Sequence, residues 1–221
     1  MAARPALVLI DRDGVINELC RVDGGVPDSP RCGDEVVLRR GAARAVRRLN
    51  DLGIPCAIVS NQPGIAKGKL TRRSLRDVTR AITSQLRESR AAVDHIYYCV
   101  HHPDSVVGGL RRQCRNRKPA EGLLLRAMRD FAAVPADTWM IGDTSNDLLA
   151  GRAASCNTAW VRGSGAATPP ASLMSEVQMV GDDLDHIISS ILPAPRRGVP
   201  ENGQALPAHA HLVRRGRTSV G

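Results

Sequence analysis

A chain of 221 residues with 43% hydrophobic residues is expected to build one domain with a sizeable core. No apolar run approaches the ~20 residues that a membrane helix needs, so no membrane partner is expected. The N-terminal Met1-Ala2-Ala3-Arg4-Pro5 leads into the first hydrophobic run without a signal-peptide region, which makes a cytoplasmic location the default. The net charge of +9 suits phosphorylated or other anionic substrates. Nucleic acid is a weaker expectation, because two Trp, two Tyr and one Phe supply few platforms for stacked bases.

Leu7-Val8-Leu9-Ile10 reads as a buried strand that ends abruptly in Asp11-Arg12-Asp13-Gly14. Residues 12–40 lack periodicity and carry Gly24-Gly25, Pro27, Pro30 and Gly33, the signature of a long loop or flap that could cover a pocket at Asp11. Arg21 and Asp23 are candidate substrate contacts within it, or simply solvated flap residues. Ala42 to Leu52 has a helical stripe stopped by Gly53. Residues 55–59 form a second strand ending in Ser60-Asn61, followed by the loop Gln62-Pro63-Gly64-Ile65-Ala66-Lys67-Gly68. Thr71 caps a helix to about Arg90, and Val93 to Cys99 makes a third strand.

The basic segment 99–119 is irregular, and Ala120 to Ala133 is helical. Residues 138–141 are a fourth strand ending in Gly142-Asp143, with a short helix over 146–154 and a fifth strand over 157–161. Residues 164–172 read as a loop, 177–180 as an edge strand and 184–192 as a last helix. Strands alternating with helices imply a parallel α/β sheet in a three-layer, Rossmann-like arrangement. Residues 1–192 form that domain; 193–221, with five arginines and the single acid Glu201, are expected to be a basic disordered tail. His209 and His211 there could catch a metal, though chance spacing explains them as well. The six cysteines (Cys20, Cys32, Cys56, Cys99, Cys114, Cys156) are expected to be thiols rather than a disulfide framework.

Ligands in open α/β sheets bind beyond the carboxyl ends of the strands. Convergence of the strand tips would gather Asp11 and Asp13, Ser60 and Asn61, Arg117 and Lys118, and Asp143 with Asp147. This set offers a nucleophilic carboxylate, an acid/base, neutral donors, a fixed ammonium and further carboxylates, which suits phosphoryl transfer through an aspartyl phosphate. Three carboxylates beside a phosphate call for a hard divalent cation, most simply Mg2+. Taken singly, each piece has a plain structural reading: a polar turn, a helix entry or, for Asp143 and Asp147, helix capping.

Asp11-Arg12-Asp13-Gly14, Ser60-Asn61, Lys118 and Gly142-Asp143-x-x-x-Asp147 resemble the four ordered motifs of the haloacid dehalogenase superfamily. The finer pattern of Asp-Arg-Asp-Gly-Val-Ile-Asn, Asn-Gln-Pro-Gly-Ile-Ala-Lys-Gly and Arg-Lys-Pro is similar to the D-glycero-D-manno-heptose-1,7-bisphosphate 7-phosphatases and the related histidinol-phosphatase domains. The resemblance implies no large cap domain, Asp11 as nucleophile and Asp13 as general acid/base. It implies Mg2+ on Asp11, Asp143 and the Asp13 backbone carbonyl, and phosphate or substrate contacts from Ser60, Asn61, Gln62, Arg117 and Lys118.

The implied substrate is a small sugar phosphate, and the implied enzyme a monomer. Histidinol phosphate is an alternative substrate; a nucleic-acid 3′-phosphatase or a non-catalytic basic binding protein are alternatives of other classes. The resemblance further implies a structural Zn2+ site of four thiolate and imidazole ligands. Cys99, His101 and Cys114 match three of them, and Asn116 stands where the fourth is expected. Zinc completed by water, His102 or Asp104, and two free thiols beside a histidine pair, are both open.

Overall fold

The computed structural model describes residues 4–20, 26–163 and 167–192, together with the backbone of 218–220. Seven parallel strands form one sheet: β1 (Leu7–Ile10), β2 (Cys56–Asn61), β3 (His95–Cys99), β4 (Thr138–Gly142), β5 (Asn157–Val161), β6 (Met179–Gly181) and β7 (Thr218–Val220). Their order across the sheet is β6-β5-β4-β1-β2-β3-β7. The helices are α1 (Ala42–Asp51), α2 (Arg72–Glu88), α3 (Gly122–Asp130), α4 (Ser145–Ala153), α5 (Ala171–Met174) and α6 (Leu184–Ile191). None of these helices is long and apolar enough to cross a membrane, among the described residues.

The pleat of β1 explains the layering. Val8 and Ile10 point to one side, into a core shared with α1, α2 and α6 through Val46, Leu49, Val78, Ile82, Leu184 and Ile188. Leu7 and Leu9 point to the other, against Leu124, Ala127 and Met128 of α3 and Ala150 of α4. All four β1 side chains are fully buried, as a central parallel strand covered on both faces requires. The strand pairs with β2 through Val8–Cys56 to Ile10–Ile58, and with β4 through Leu7–Thr138 to Ile10–Ile141. Because β2 and β4 flank it on opposite sides, the connections diverge at β1, and the crevice between the carboxyl ends of β1 and β4 is the topological switch point.

The predicted strands and helices are present, with small differences. The last core strand is Met179–Gly181, a little later than the alternation suggested, and Ala171–Met174 form a helical turn inside the expected loop. Thr71 does cap α2, its side chain accepting from the Ser74 N–H. The flap after β1 contains one short helical turn, Gly33–Glu35, and Gly14 (φ +79°) makes the sharp exit beyond Asp13. All six cysteines are thiols. Of the stretch expected to be a tail, Thr218–Val220 lie parallel to β3 as an edge strand. The tail arginines, His209 and His211, and the flap residues Arg21 and Asp23 lie outside the described residues.

Truncating Leu9 to Ala, at the centre of the sheet, is expected to lower unfolding stability by about 2–5 kcal/mol. Urea denaturation followed by circular dichroism measures it; a change within about 0.5 kcal/mol would show that β1 does not anchor the two layers.

Candidate active site

Asp11 sits one residue beyond β1 and its backbone N–H still donates to the Ile141 carbonyl of β4 at 2.9 Å. That bond ties the carboxylate to the switch point. Lys118 approaches from the turn before α3 and is only 2% exposed. Its Nζ donates to Asp11 Oδ1 at 2.8 Å and to the Val59 carbonyl at 2.8 Å, and lies 2.5 Å from Asp147 Oδ1. One ammonium thus sits between two buried carboxylates.

The long reach of Lys118 is fixed from behind by Asn61. The Asn61 side chain donates to the Lys118 carbonyl at 2.8 Å and accepts from the Lys118 N–H at 3.0 Å. Its side-chain amide therefore positions the lysine. Ser60 is 2% exposed and its Oγ accepts from Gln62 Nε2 at 3.1 Å. The Gln62 side chain continues to Asp13 Oδ2 at 2.7 Å, so this residue too serves another site residue. Arg117 is half-buried and donates to the His101 carbonyl at 3.3 Å, at the side of the site nearer the cysteines.

Asp147 has two jobs. At the start of α4 its Oδ2 accepts from the Thr144 N–H at 3.0 Å and the Thr144 hydroxyl at 2.6 Å, closing a capping box. Its other oxygen faces Lys118. The capping reading of the Gly-Asp-x-x-x-Asp pattern is therefore realised, and the same side chain also meets Lys118. Asp143, at the end of β4, is 2% exposed. Gly142 lets α4 come this close: a Cβ there would lie 2.2 Å from Asp147 Cβ.

Oxygens of Asp11, Asp143 and Asp147 lie within 4.8 Å of one another. Lys118 pairs with Asp11 and Asp147, and burial pushes Asp11 up to about 6, against the opposing pull of Lys118. A hard divalent cation matches this oxygen donor set and relieves the excess negative charge. Asp11, Asp143 and Asp147 are the side chains that could hold it.

Asp13 lies apart from Lys118 and is surrounded by donors. Arg12, Asn17, Ser29 and Gln62 all reach its carboxylate, at 2.7–3.0 Å. Burial opposes its ionisation, but Arg12 and the hydrogen bonds outweigh this and hold its acidity below the ordinary carboxylate range. Sequence reasoning did not single out Arg12, Asn17 or Ser29. Asn17 had a signal in its place within the Asp-Arg-Asp-Gly-Val-Ile-Asn run; Ser29, from the flap, had none. Its 2.9 Å bond to Asp13 Oδ2 places the flap over the site, as its length suggested.

Cys99, His101 and Cys114 also converge, with ligand atoms within 4.8 Å of one another. Cys99 Sγ is 3.8 Å from His101 Nδ1. Burial pushes the Cys99 thiol up to about 11 and disfavours protonated His101.

Comparison with known proteins agrees with this geometry. A protein-family model described as haloacid dehalogenase-like hydrolase matches residues 26–155. The D-glycero-beta-D-manno-heptose-1,7-bisphosphate 7-phosphatase of Escherichia coli O6:H1 is 36% identical over 159 residues, 72% of this chain and 80% of its own. The enzyme of the same name from Vibrio cholerae serotype O1 is 34% identical over 157 residues, 71% of this chain and 80% of its own. Among solved structures, D,D-heptose 1,7-bisphosphate phosphatase from B. bronchiseptica, complexed with magnesium and phosphate, superposes with a TM-score of 0.67 at 26% identity, covering 84% of this chain and 97% of that one.

Gly142→Ala is expected to push Asp147 off both Thr144 and Lys118, lowering turnover at least tenfold and the melting temperature by several degrees. Steady-state kinetics and a thermal melt check it, and wild-type values in both would contradict the close approach of α4 to β4.

Proposed function

This chain belongs to the haloacid dehalogenase-like hydrolases and is a phosphoric monoester hydrolase, and from that premise we propose that it removes the 7-phosphate of D-glycero-D-manno-heptose 1,7-bisphosphate. The name shared by its relatives supports the substrate. The observation that carries the reading is a cavity between the flap and the loop after β2, opening beside Asp13. Arg31, Lys67 and Lys69 line it together with Asp28, Ser29 and Gln62. Lys69 Nζ is 2.6 Å and Arg31 Nη2 3.5 Å from the Asp28 carboxylate. Three cations lining a cavity that holds one carboxylate suit an anion besides the phosphate being transferred. Histidinol phosphate would bring an ammonium to this cationic pocket instead, which repulsion disfavours.

In the mechanism that fits, an Asp11 oxygen attacks phosphorus in line as the sugar oxygen leaves. For this step Asp13 must enter protonated, against donors that favour its ionised form; it gives that proton to the leaving oxygen, then takes one from the water that attacks the aspartyl phosphate, releasing inorganic phosphate and restoring Asp11. Lys118 holds Asp11 in place and offsets charge on the transferring group. Mg2+, held by Asp11, Asp143 and the Asp13 backbone carbonyl, supplies charge neutralisation. In this reading the enzyme acts as a cytoplasmic monomer, to which its six free thiols are suited.

The Cys99–His101–Cys114 cluster is proposed to hold Zn2+ with solvent as the fourth ligand. Thiolate and imidazole are suitable donors. His102 Nδ1 instead accepts from the Asp104 N–H at 3.1 Å, and the Asp104 side chain is 90% exposed. Metal analysis of purified protein is expected to find about one zinc per chain, lost in Cys114→Ser; a zinc-free wild-type protein would refute this site.

The substrate reading is checked by phosphate release with Mg2+. Heptose 1,7-bisphosphate is expected to exceed histidinol phosphate in kcat/KM by at least 100-fold, with no turnover by a folded Asp11→Asn variant. Preference for histidinol phosphate would overturn the substrate, and activity in Asp11→Asn would overturn the aspartyl phosphate.

A further inference from the structure

Arg12 stands between the two catalytic aspartates in sequence, yet its side chain belongs to neither the metal nor the phosphate site. It is fully buried, an expensive place for a cation. Its Nη2 donates to both oxygens of Asp13, at 2.8 and 2.9 Å, and its Nε donates to Oδ1 at 3.0 Å. The back of the fork rests on a ring: the guanidinium carbon lies 5.6 Å from the centroid of Tyr98. Tyr98 is itself fixed, with its hydroxyl 3.1 Å from Thr79 Oγ1, which donates to the Leu75 carbonyl of α2 at 2.7 Å. A continuous chain of contacts therefore runs from α2 through β3 and Arg12 to Asp13.

We propose that Arg12 is a positioning residue for the proton-transfer step: its rigid fork, braced by Tyr98, fixes the plane of the Asp13 carboxylate toward the leaving oxygen. This rests on the acid/base reading of Asp13. A guanidinium fork can define that plane because it contacts both oxygens at once; a lysine ammonium is a point charge and cannot. Asn17 on Oδ1, and Ser29 and Gln62 on Oδ2, complete the cradle. Of these donors Ser29 comes from the flap and Gln62 from the loop after β2, whereas Arg12, two residues past β1, is braced by Tyr98 of β3.

The test exploits leaving-group chemistry. Cleavage of heptose 1,7-bisphosphate expels an alkoxide that needs a proton; cleavage of p-nitrophenyl phosphate expels a phenolate that does not. Phosphoenzyme formation is followed by rapid quench on both, for wild type, Arg12→Lys, Asp13→Asn and the pair combined. Arg12→Lys is expected to slow the sugar reaction by about 10²-fold, of the order of a general-acid contribution, and the aryl reaction by less than about threefold. In the Asp13→Asn background the same substitution is expected to add nothing.

Equal losses on both substrates, no loss on either, or an additive loss in the double variant would overturn the assignment. If Asp13→Asn is itself unselective, the acid/base reading of Asp13 fails; if Asp13→Asn is selective and Arg12→Lys is not, only the role of Arg12 fails. Should Arg12→Lys not give a cooperative melt, Tyr98→Leu keeps both charges and removes the brace. It is expected to show the same selectivity at smaller size, and an unselective effect there would count equally against the proposal.

Discussion

A buried ammonium between carboxylates is the constraint on which this site depends. Lys118 touches Asp11 from β1, Asp147 from α4 and the Val59 carbonyl from β2. Removing such a partner would leave negative charges uncompensated in a low-dielectric crevice. The ammonium therefore holds together the elements that bear the chemistry. Much of the local structure follows from that need. Asn61 clamps the lysine backbone, Gly142 lets Asp147 in, and the Thr144 box fixes the start of α4.

The two acids of the first motif are given opposite surroundings. Asp11 faces other carboxylates and is pushed up to about 6 by burial, with one ammonium resisting. Asp13, two residues on, is surrounded by donors and held down by Arg12. Two carboxyl groups two residues apart are thus shifted in opposite directions by their surroundings alone.

Much of this was legible in the chain. Four aliphatic residues ending in two acids suit a strand buried on both faces, and the strand–helix alternation that follows points to a sheet layered by helices. The polar strand tips named Asp11, Asp13, Ser60 and Asp143 because polar residues at the end of a buried strand have one sheet edge on which to emerge; Lys118 and Asp147 were named from the segments that follow those strands. The ordered motifs carried the family as well, since their spacing reflects which strand delivers which group.

What only the tertiary structure decided is how those groups face one another. Nothing in the sequence says that the Asn61 side chain clamps the Lys118 backbone, 57 residues further along. Likewise Asp147 caps a helix with one oxygen and meets a lysine with the other, two readings that sequence treats as rivals. Ser29 reaches Asp13 across a flap with no periodicity, and Arg12 reaches it by turning onto Tyr98 of β3, 86 residues further along. Sequence determines which chemistry each strand carries to the sheet edge, since that depends on local hydrophobic pattern. Partnership across the crevice depends on strand order and side-chain direction, which are settled only when the layers pack.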